Sequence, residues 1–240
     1  MTVGEAWEQE AENWVRWTRT PGFDAYWYYG ESFFANIVPP PGRHTLEIGC
    51  GEGRVTRDLA QRGHVVTAVD VSPTLLRYAQ EADPTGRYLL ADAAALPFAD
   101  GQFDLIVAYN SLMDIEDMPG AVREAARVLA ADGRLCICVT HPLNDAGSFE
   151  GDAPDSPFII RGSYLAGRAF HETFEREGLT MTFHGNCYPL GAYARALEDA
   201  GFSIERMREP AATEEAVAAR AGLLNWQRLP MFLHIRAVKG

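Results

Sequence analysis

A chain of 240 residues is long enough to fill one α/β core with a modest cap and too short for two ordinary domains with linkers, so one domain over 1–240 is expected. Its formal charge is −12, with 21 Lys and Arg against 33 Asp and Glu and no basic run, which argues against a nucleic-acid partner because phosphate binding draws on clustered cations. No stretch approaches the length of an apolar membrane span, and the N-terminus lacks a basic start followed by an apolar segment. Neither insertion nor export is expected, and the reading is a soluble, cytoplasmic protein with no membrane partner.

Residues 1–38 are unusually aromatic. Thr2-x-x-Glu5 has the form of a capping box opening a helix through about Arg19, with Trp7, Ala11, Trp14 and Thr18 on one stripe and Trp17 beside it. Pro21-Gly22 breaks that helix, and Phe23 to Ile37 resumes with Tyr26, Trp27, Tyr28, Tyr29, Phe33 and Phe34. Packing on a sheet edge accounts for most of these rings.

Pro39-Pro40-Pro41-Gly42 delivers the chain to a buried strand ending in Leu46-Glu47-Ile48, followed by Gly49-Cys50-Gly51-Glu52-Gly53-Arg54. Three glycines permit a tight turn with close backbone approach to a ligand, and the apolar positions after them suit a helix. A second strand, His64 to Val69, closes on Asp70, where a carboxylate can accept both hydroxyls of a ribose. Ser72-Pro73 is an N-cap with proline at the first helical position, opening a helix through about Ala82. Tyr88 to Ala93 reads as a third strand ending in an acid, Asp92. Leu105 to Tyr109 is a fourth strand, with Asn110 and Ser111 just past it. Asp114, Glu116 and Asp117 come next, Asp117 suiting the cap of a helix from Pro119 to Leu129. Ala130-Ala131-Asp132-Gly133 is a turn before a fifth strand, Arg134 to Val139.

After Thr140-His141-Pro142 the strand and helix alternation fails. Asn144 to Pro157 is rich in Gly, Pro, Asp and Ser, Phe158-Ile159-Ile160 and Met181-Thr182-Phe183 read as short strands, and Arg168 to Gly178 as helical or irregular. An insertion of this length forms a cap. Leu190 to Ala200 is a helix stopped by Gly201, Phe202 to Arg208 a strand, and Met231 to Val238 the last strand. The four cysteines, Cys50, Cys136, Cys138 and Cys187, lack metal-ligand spacing and read as reduced core thiols.

The spacing Gly49-x-Gly51-x-Gly53 brings the third glycine one residue earlier than a dinucleotide loop has it, leaving Arg54 in that place. Glu47 would repel a pyrophosphate, whereas it suits a ligand carrying an ammonium and a sulfonium. Together with Asp70, Asp92-Ala93 and the segment Leu96 to Asp104 before the fourth strand, this set resembles the class I S-adenosylmethionine-dependent methyltransferases, closely over about residues 40–141 and in outline beyond. The resemblance implies a Rossmann-like α/β fold: a seven-stranded, mostly parallel sheet in the order 3-2-1-4-5-7-6, last strand antiparallel, helices on both faces. Residues 1–38 would be a helical cap, 39–141 the donor-binding core, 142–189 a cap insertion and 190–240 the C-terminal helix and strands.

The same resemblance implies S-adenosylmethionine as cofactor and S-adenosylhomocysteine as product. Glu47, Gly49, Cys50, Gly51, Gly53, Asp70 and Val71 would line the donor, Asp92 and Ala93 its adenine, and Asn110 and Ser111 its methionine end. Tyr26, Tyr29 and Trp14 are the rings expected to face it, since aromatic faces stabilise a sulfonium. The implied reaction is methyl transfer by in-line displacement to a small, apolar or aromatic acceptor. The alternatives are a protein methyltransferase and a non-catalytic donor-binding protein, while the early third glycine and Asp92-Ala93 argue against an NAD-linked oxidoreductase.

Such a transfer needs alignment and desolvation, and a base only where the acceptor must lose a proton. His141, directly after the fifth strand, is the first candidate for a base or acceptor-orienting group, against a plain hydrogen bond to the loop backbone. His184, Tyr188 and Asp114 are the others, and His171, in a charged stretch, reads as solvated. No grouped acids suggest a metal, and monomer and homo-oligomer are both open.

Overall fold

The computed structural model describes residues 1–240. Helix α1 (Val3–Arg19) opens on the Thr2/Glu5 capping box with both reciprocal bonds made, and α2 (Tyr26–Asn36) follows the Pro21-Gly22 break. The core then alternates: β1 (Thr45–Ile48), α3 (Arg54–Gln61), β2 (Val66–Asp70), α4 (Pro73–Ala82), β3 (Arg87–Leu90), β4 (Phe103–Tyr109), α5 (Met118–Val128) and β5 (Leu129–Thr140). Ser72 and Asp117 cap α4 and α5 through their side chains, as the sequence suggests. The insertion comprises α6 (Pro142–Ala146), a small hairpin of β6 (Gly147–Phe149) and β7 (Phe158–Ile160), and a longer one of β8 (Arg168–Arg176) and β9 (Leu179–Cys187). The chain ends with α7 (Leu190–Asp199), β10 (Phe202–Arg208), α8 (Glu214–Ala219), a 3-10 segment (Ala221–Gln227) and β11 (Phe232–Lys239).

One sheet runs β10-β11-β5-β4-β1-β2-β3, the order expected. Strands β1 to β5 pair in parallel, and β11 lies antiparallel to both neighbours. Side-chain alternation explains why both faces are covered. Leu105, Val107, Cys136 and Cys138 pack against α2 and α3 through Phe33, Phe34, Val55 and Leu59, while Ile106, Ala108, Leu135 and Ile137 pack against α5 and α7. All four cysteines are buried and free. No helix is long and apolar enough to cross a membrane.

Three expectations are corrected. Strand β3 stops at Leu90, so Asp92 stands in the turn beyond it, its backbone oxygen accepting from Ala95. Arg168 to Arg176 is neither helical nor irregular but the first strand of the longer hairpin, and the short strand expected at Met181 is part of nine residues. Glu177 and Gly178, with φ of 49° and 78°, supply the two positive-φ positions that a tight hairpin turn needs. The segment 214–227, which the sequence reading leaves unassigned, forms α8 and the 3-10 turns.

Helix α1 bridges two parts of the molecule. Glu8 accepts from the Ser72 and Thr74 hydroxyls at the start of α4, and Arg19 reaches Glu52 in the glycine turn at 3.0 Å. On its other side the Trp7 indole donates to the His184 carbonyl at 3.0 Å, and Glu10 accepts from the Thr182 amide. The helix therefore closes the space between the carboxyl ends of the parallel strands and the longer hairpin.

Candidate active site

Parallel strands aim their carboxyl ends at one edge, and here β1, β2 and β4 deliver the glycine turn, Asp70 and Asn110 to the same cleft. The amides of Gly49 and Cys50 both donate to the Val69 carbonyl, which folds the turn back over β2. Gly49 has φ 68°, and a Cβ there would stand 2.4 Å from the Cβ of Ser111, so only glycine fits. Gly51, φ 55°, presents bare backbone to the cleft, its nearest neighbour being the Trp14 indole nitrogen. Asp70 takes one backbone N–H on each oxygen, Gly51 at 2.8 Å and Ser72 at 2.9 Å. A carboxylate has about four acceptor sites, so each oxygen retains one.

Glu47 is almost wholly buried beneath this turn, where the Thr56 hydroxyl donates to it. Burial pushes its carboxyl up to about 8, opposed by the Thr56 bond and reinforced by the charge of Asp70.

The cleft encloses about 1960 Å³. Single-ligand pockets are roughly 300–1,000 Å³, so there is room for two molecules side by side. Its far half is aromatic: Trp14 and Trp17 meet Phe183 edge-on, with centroids 5.9 and 6.1 Å away, and Phe149 meets Trp226 edge-on at 5.3 Å. Two acids stand in this half. Asp114 ends the 3-10 turn after β4, and Asp145 lies in α6 beyond β5. Neither carboxyl has a hydrogen-bond donor within the chain. Burial and then the charge of Asp145 hold Asp114 well above the carboxylate range, and burial, opposed by Arg168, pushes Asp145 up to about 7. The Tyr193 hydroxyl, fully buried and without a partner, is raised by burial and by both acids.

Residues 46–137 match the family model described as a methyltransferase domain. A demethylmenaquinone methyltransferase of Tropheryma whipplei is 34% identical over 132 residues, covering 52% of this chain and 53% of that protein. A malonyl-[acyl-carrier protein] O-methyltransferase of Erwinia pyrifoliae is 34% identical over 106 residues, covering 44% of this chain and 40% of its own. The chain thus spans about half the length, or less, of these curated relatives. Across the whole fold, the crystal structure of an S-adenosylmethionine-dependent methyltransferase from Mesorhizobium loti superposes with a TM-score of 0.73 at 25% identity, covering 90% of this chain and 98% of that one. Residues 46–137 thus resemble a methyltransferase domain, and the chain as a whole has the fold of an S-adenosylmethionine-dependent methyltransferase.

The structural neighbour is S-adenosylmethionine-dependent, and the residues present here suit that cofactor. The bare backbone at Gly51 leaves a cradle that a side chain would fill, and Asp70 keeps acceptor capacity for a diol. Cys50, Val71, Asp92, Ala93, Asn110 and Ser111 all line the cleft beside them. Asn110 holds a left-handed φ of 50°, and the Ser111 hydroxyl donates to the Ile48 carbonyl, tying the ends of β4 and β1 together.

The other sequence-selected residues divide sharply. Trp14 and Tyr26 line the cleft, Tyr26 with its hydroxyl on Asp58 and its ring 3.9 Å from the Arg54 guanidinium. Tyr29 does not: it is buried against Phe232, and burial pushes its hydroxyl up to about 12. Gly53 faces Tyr88 and Ala79, where its lack of a side chain serves packing on α4. His141 is also outside the cleft. Its Nδ1 accepts from the Leu143 amide as the N-cap of α6, and its Nε2 meets Glu209 at 2.9 Å. Burial lowers its pKa, and Glu209 only partly restores it. Tyr188 packs on Tyr193 away from the cleft, whereas His184 lines it, its Nδ1 3.1 Å from that of His171. The sequence reading missed Asp145, Phe149 and Trp226. Only the acid in Pro142-Leu143-Asn144-Asp145, just past a parallel strand, carried a signal.

Proposed function

We propose that the protein transfers a methyl group from S-adenosylmethionine to a small, apolar or aromatic molecule. One observation carries the reading: a single cleft joins the glycine turn, Asp70 and Asp92 to an aromatic half large enough for a second ligand. The donor supplies an electrophilic methyl on a sulfonium, which leaves as a neutral thioether. The chain's task is alignment and exclusion of water, which Trp14, Trp17, Phe23 and Phe183 serve from α1, the following loop and the longer hairpin.

Where the acceptor carries an acidic proton, Asp145 is the residue to take it, with Asp114 beside it holding its own proton. Asp145 faces the cleft without a donor of its own, and a carboxyl titrating near 7 suits general-base work at neutral pH. A screen of phenols, carboxylic acids, amines and indoles, read by S-adenosylhomocysteine formation, tests the proposal. Turnover with at least one class is expected, reduced at least tenfold in Asp145→Asn for hydroxyl acceptors. Tight donor binding with no turnover across the panel would assign a binding role instead.

A further inference from the structure

The cleft of this acidic chain holds two arginines that no carboxylate neutralises. Arg176 ends β8 and Arg220 follows α8, and both line the aromatic half. Arg176 donates one nitrogen, Nη1, to the carbonyls of Phe23 and Gly22, while its guanidinium lies 5.4 Å from the rings of Trp17 and Phe23. Its Nε and Nη2 have no partner. Arg220 makes no side-chain hydrogen bond or ion pair at all.

The two are close enough for their charges to oppose each other. Burial first, and then the charge of Arg176, make the charged form of Arg220 less favourable. The nearby acid, Asp24, is already committed: its Oδ2 holds Arg54 at 2.6 Å and its Oδ1 accepts the Tyr26 amide. Asp24 is thus spent on Arg54 and acts on Arg220 only at longer range, in a chain of net charge −12 that could readily have supplied more acids. Partly buried, unpaired cations are unfavourable for the free protein, and an anion between them removes that cost.

We propose that Arg176 and Arg220 form an anion subsite that anchors a carboxylate on the methyl acceptor, whose remaining body is apolar or aromatic. The proposal rests on the methyltransferase reading of the cleft. A guanidinium fork matches the two oxygens of a carboxylate. A singly charged group suits this site better than a phosphate, because acids dominate the rest of the cleft wall. The anchored carboxylate has its lone pairs tied up in hydrogen bonds, so the atom that receives the methyl is another one on the same molecule.

The test is calorimetric titration of 3-phenylpropionate, 4-phenylbutyrate and 5-phenylvalerate, each beside its matching alcohol and beside phenyl phosphate, into the chain with and without saturating S-adenosylhomocysteine. At least one carboxylate is expected to bind about tenfold or more tightly than its alcohol, the preference falling to near parity in Arg220→Gln and to an intermediate value in Arg220→Lys. Because Arg220 has no side-chain hydrogen bond or ion pair to lose and its charge is unfavourable in the free protein, Arg220→Gln should have a Tm no lower than the wild type, and Arg220→Lys one close to it. Carboxylates binding no better than alcohols, tighter binding of phenyl phosphate, or an unchanged preference in Arg220→Gln each overturns the proposal. Failure of S-adenosylhomocysteine to bind would instead refute the cofactor reading, and the titrations without it would still decide the subsite.

Discussion

Glu47 makes donor binding a titration. With its carboxyl at about 8 in the free protein, about one molecule in ten carries the charge at pH 7 and about one in a hundred at pH 6. A donor with an ammonium and a sulfonium favours the ionised form, so binding draws Glu47 through its titration and releases its proton. Apparent affinity should rise about tenfold between pH 6 and 7, worth about 1.4 kcal/mol, with roughly 0.9 proton released per donor at pH 7. The rise should level off near pH 8, where Glu47 is half ionised and an α-ammonium of pKa about 7.7–8.0 begins to deprotonate. Calorimetry with S-adenosylmethionine in phosphate and in Tris at pH 7 reads the proton directly as a buffer-dependent enthalpy. Asp145 titrates in the same range, so Glu47→Gln is the control: it should bind with an enthalpy independent of buffer. Equal enthalpies in both buffers for the wild type, with affinity flat from pH 6 to 8, would refute the assignment of Glu47 to the donor's charge.

Three further outcomes are expected. Asp70→Ala should weaken donor binding by about 1.5–3 kcal/mol, the range for hydrogen bonds to a charged group, and lower the Tm, because the Gly51 and Ser72 amides lose their acceptor; unchanged affinity by calorimetry would remove Asp70 from the ribose. His141→Ala should cost about 1 kcal/mol of stability in urea unfolding through loss of the α6 cap, while leaving kcat and its pH profile unchanged; a changed profile would return His141 to the chemistry. His234 is fully buried with both ring nitrogens unpartnered, and burial lowers its pKa to about 4. Its depressed folded value means that stability is intact above the unfolded pKa of about 6.5 and is lost as pH falls toward 4, by up to about 3 kcal/mol, a slope that His234→Leu should flatten in denaturant titrations at pH 7 and pH 5.

The glycine-turn half of the cleft was legible because its residues end successive strands. Glu47 to Gly53, Asp70 and Asp92 each lie at or just past the carboxyl end of a strand in a parallel alternation, so local spacing fixes which edge they share, and the cleft gathers all of them except Ile48 and Gly53. The aromatic half draws on Trp14, Asp114, Asp145, Phe183 and Trp226, from five separate parts of the chain, and no periodicity links such positions. The longer hairpin was obscured for a related reason. Most of β8 is exposed, so it shows no alternation between a wet and a buried face, and only the Glu177-Gly178 turn marks it.

Tyr26 and Tyr29 show the limit of helical spacing. Three residues apart, they share a side of α2, yet the first reaches the cleft over Arg54 and the second is held under Phe232 of β11, a strand two hundred residues later. His141 shows the same limit at a strand end. The rule that carboxyl ends of parallel strands face the ligand selects the region after β5 correctly. What it omits is Pro142, which starts a helix at once and turns His141 into a cap with its Nδ1 bound to Leu143. The first acid that this short helix brings to the cleft is Asp145, four residues on, about one helical turn from the position the strand alone would suggest.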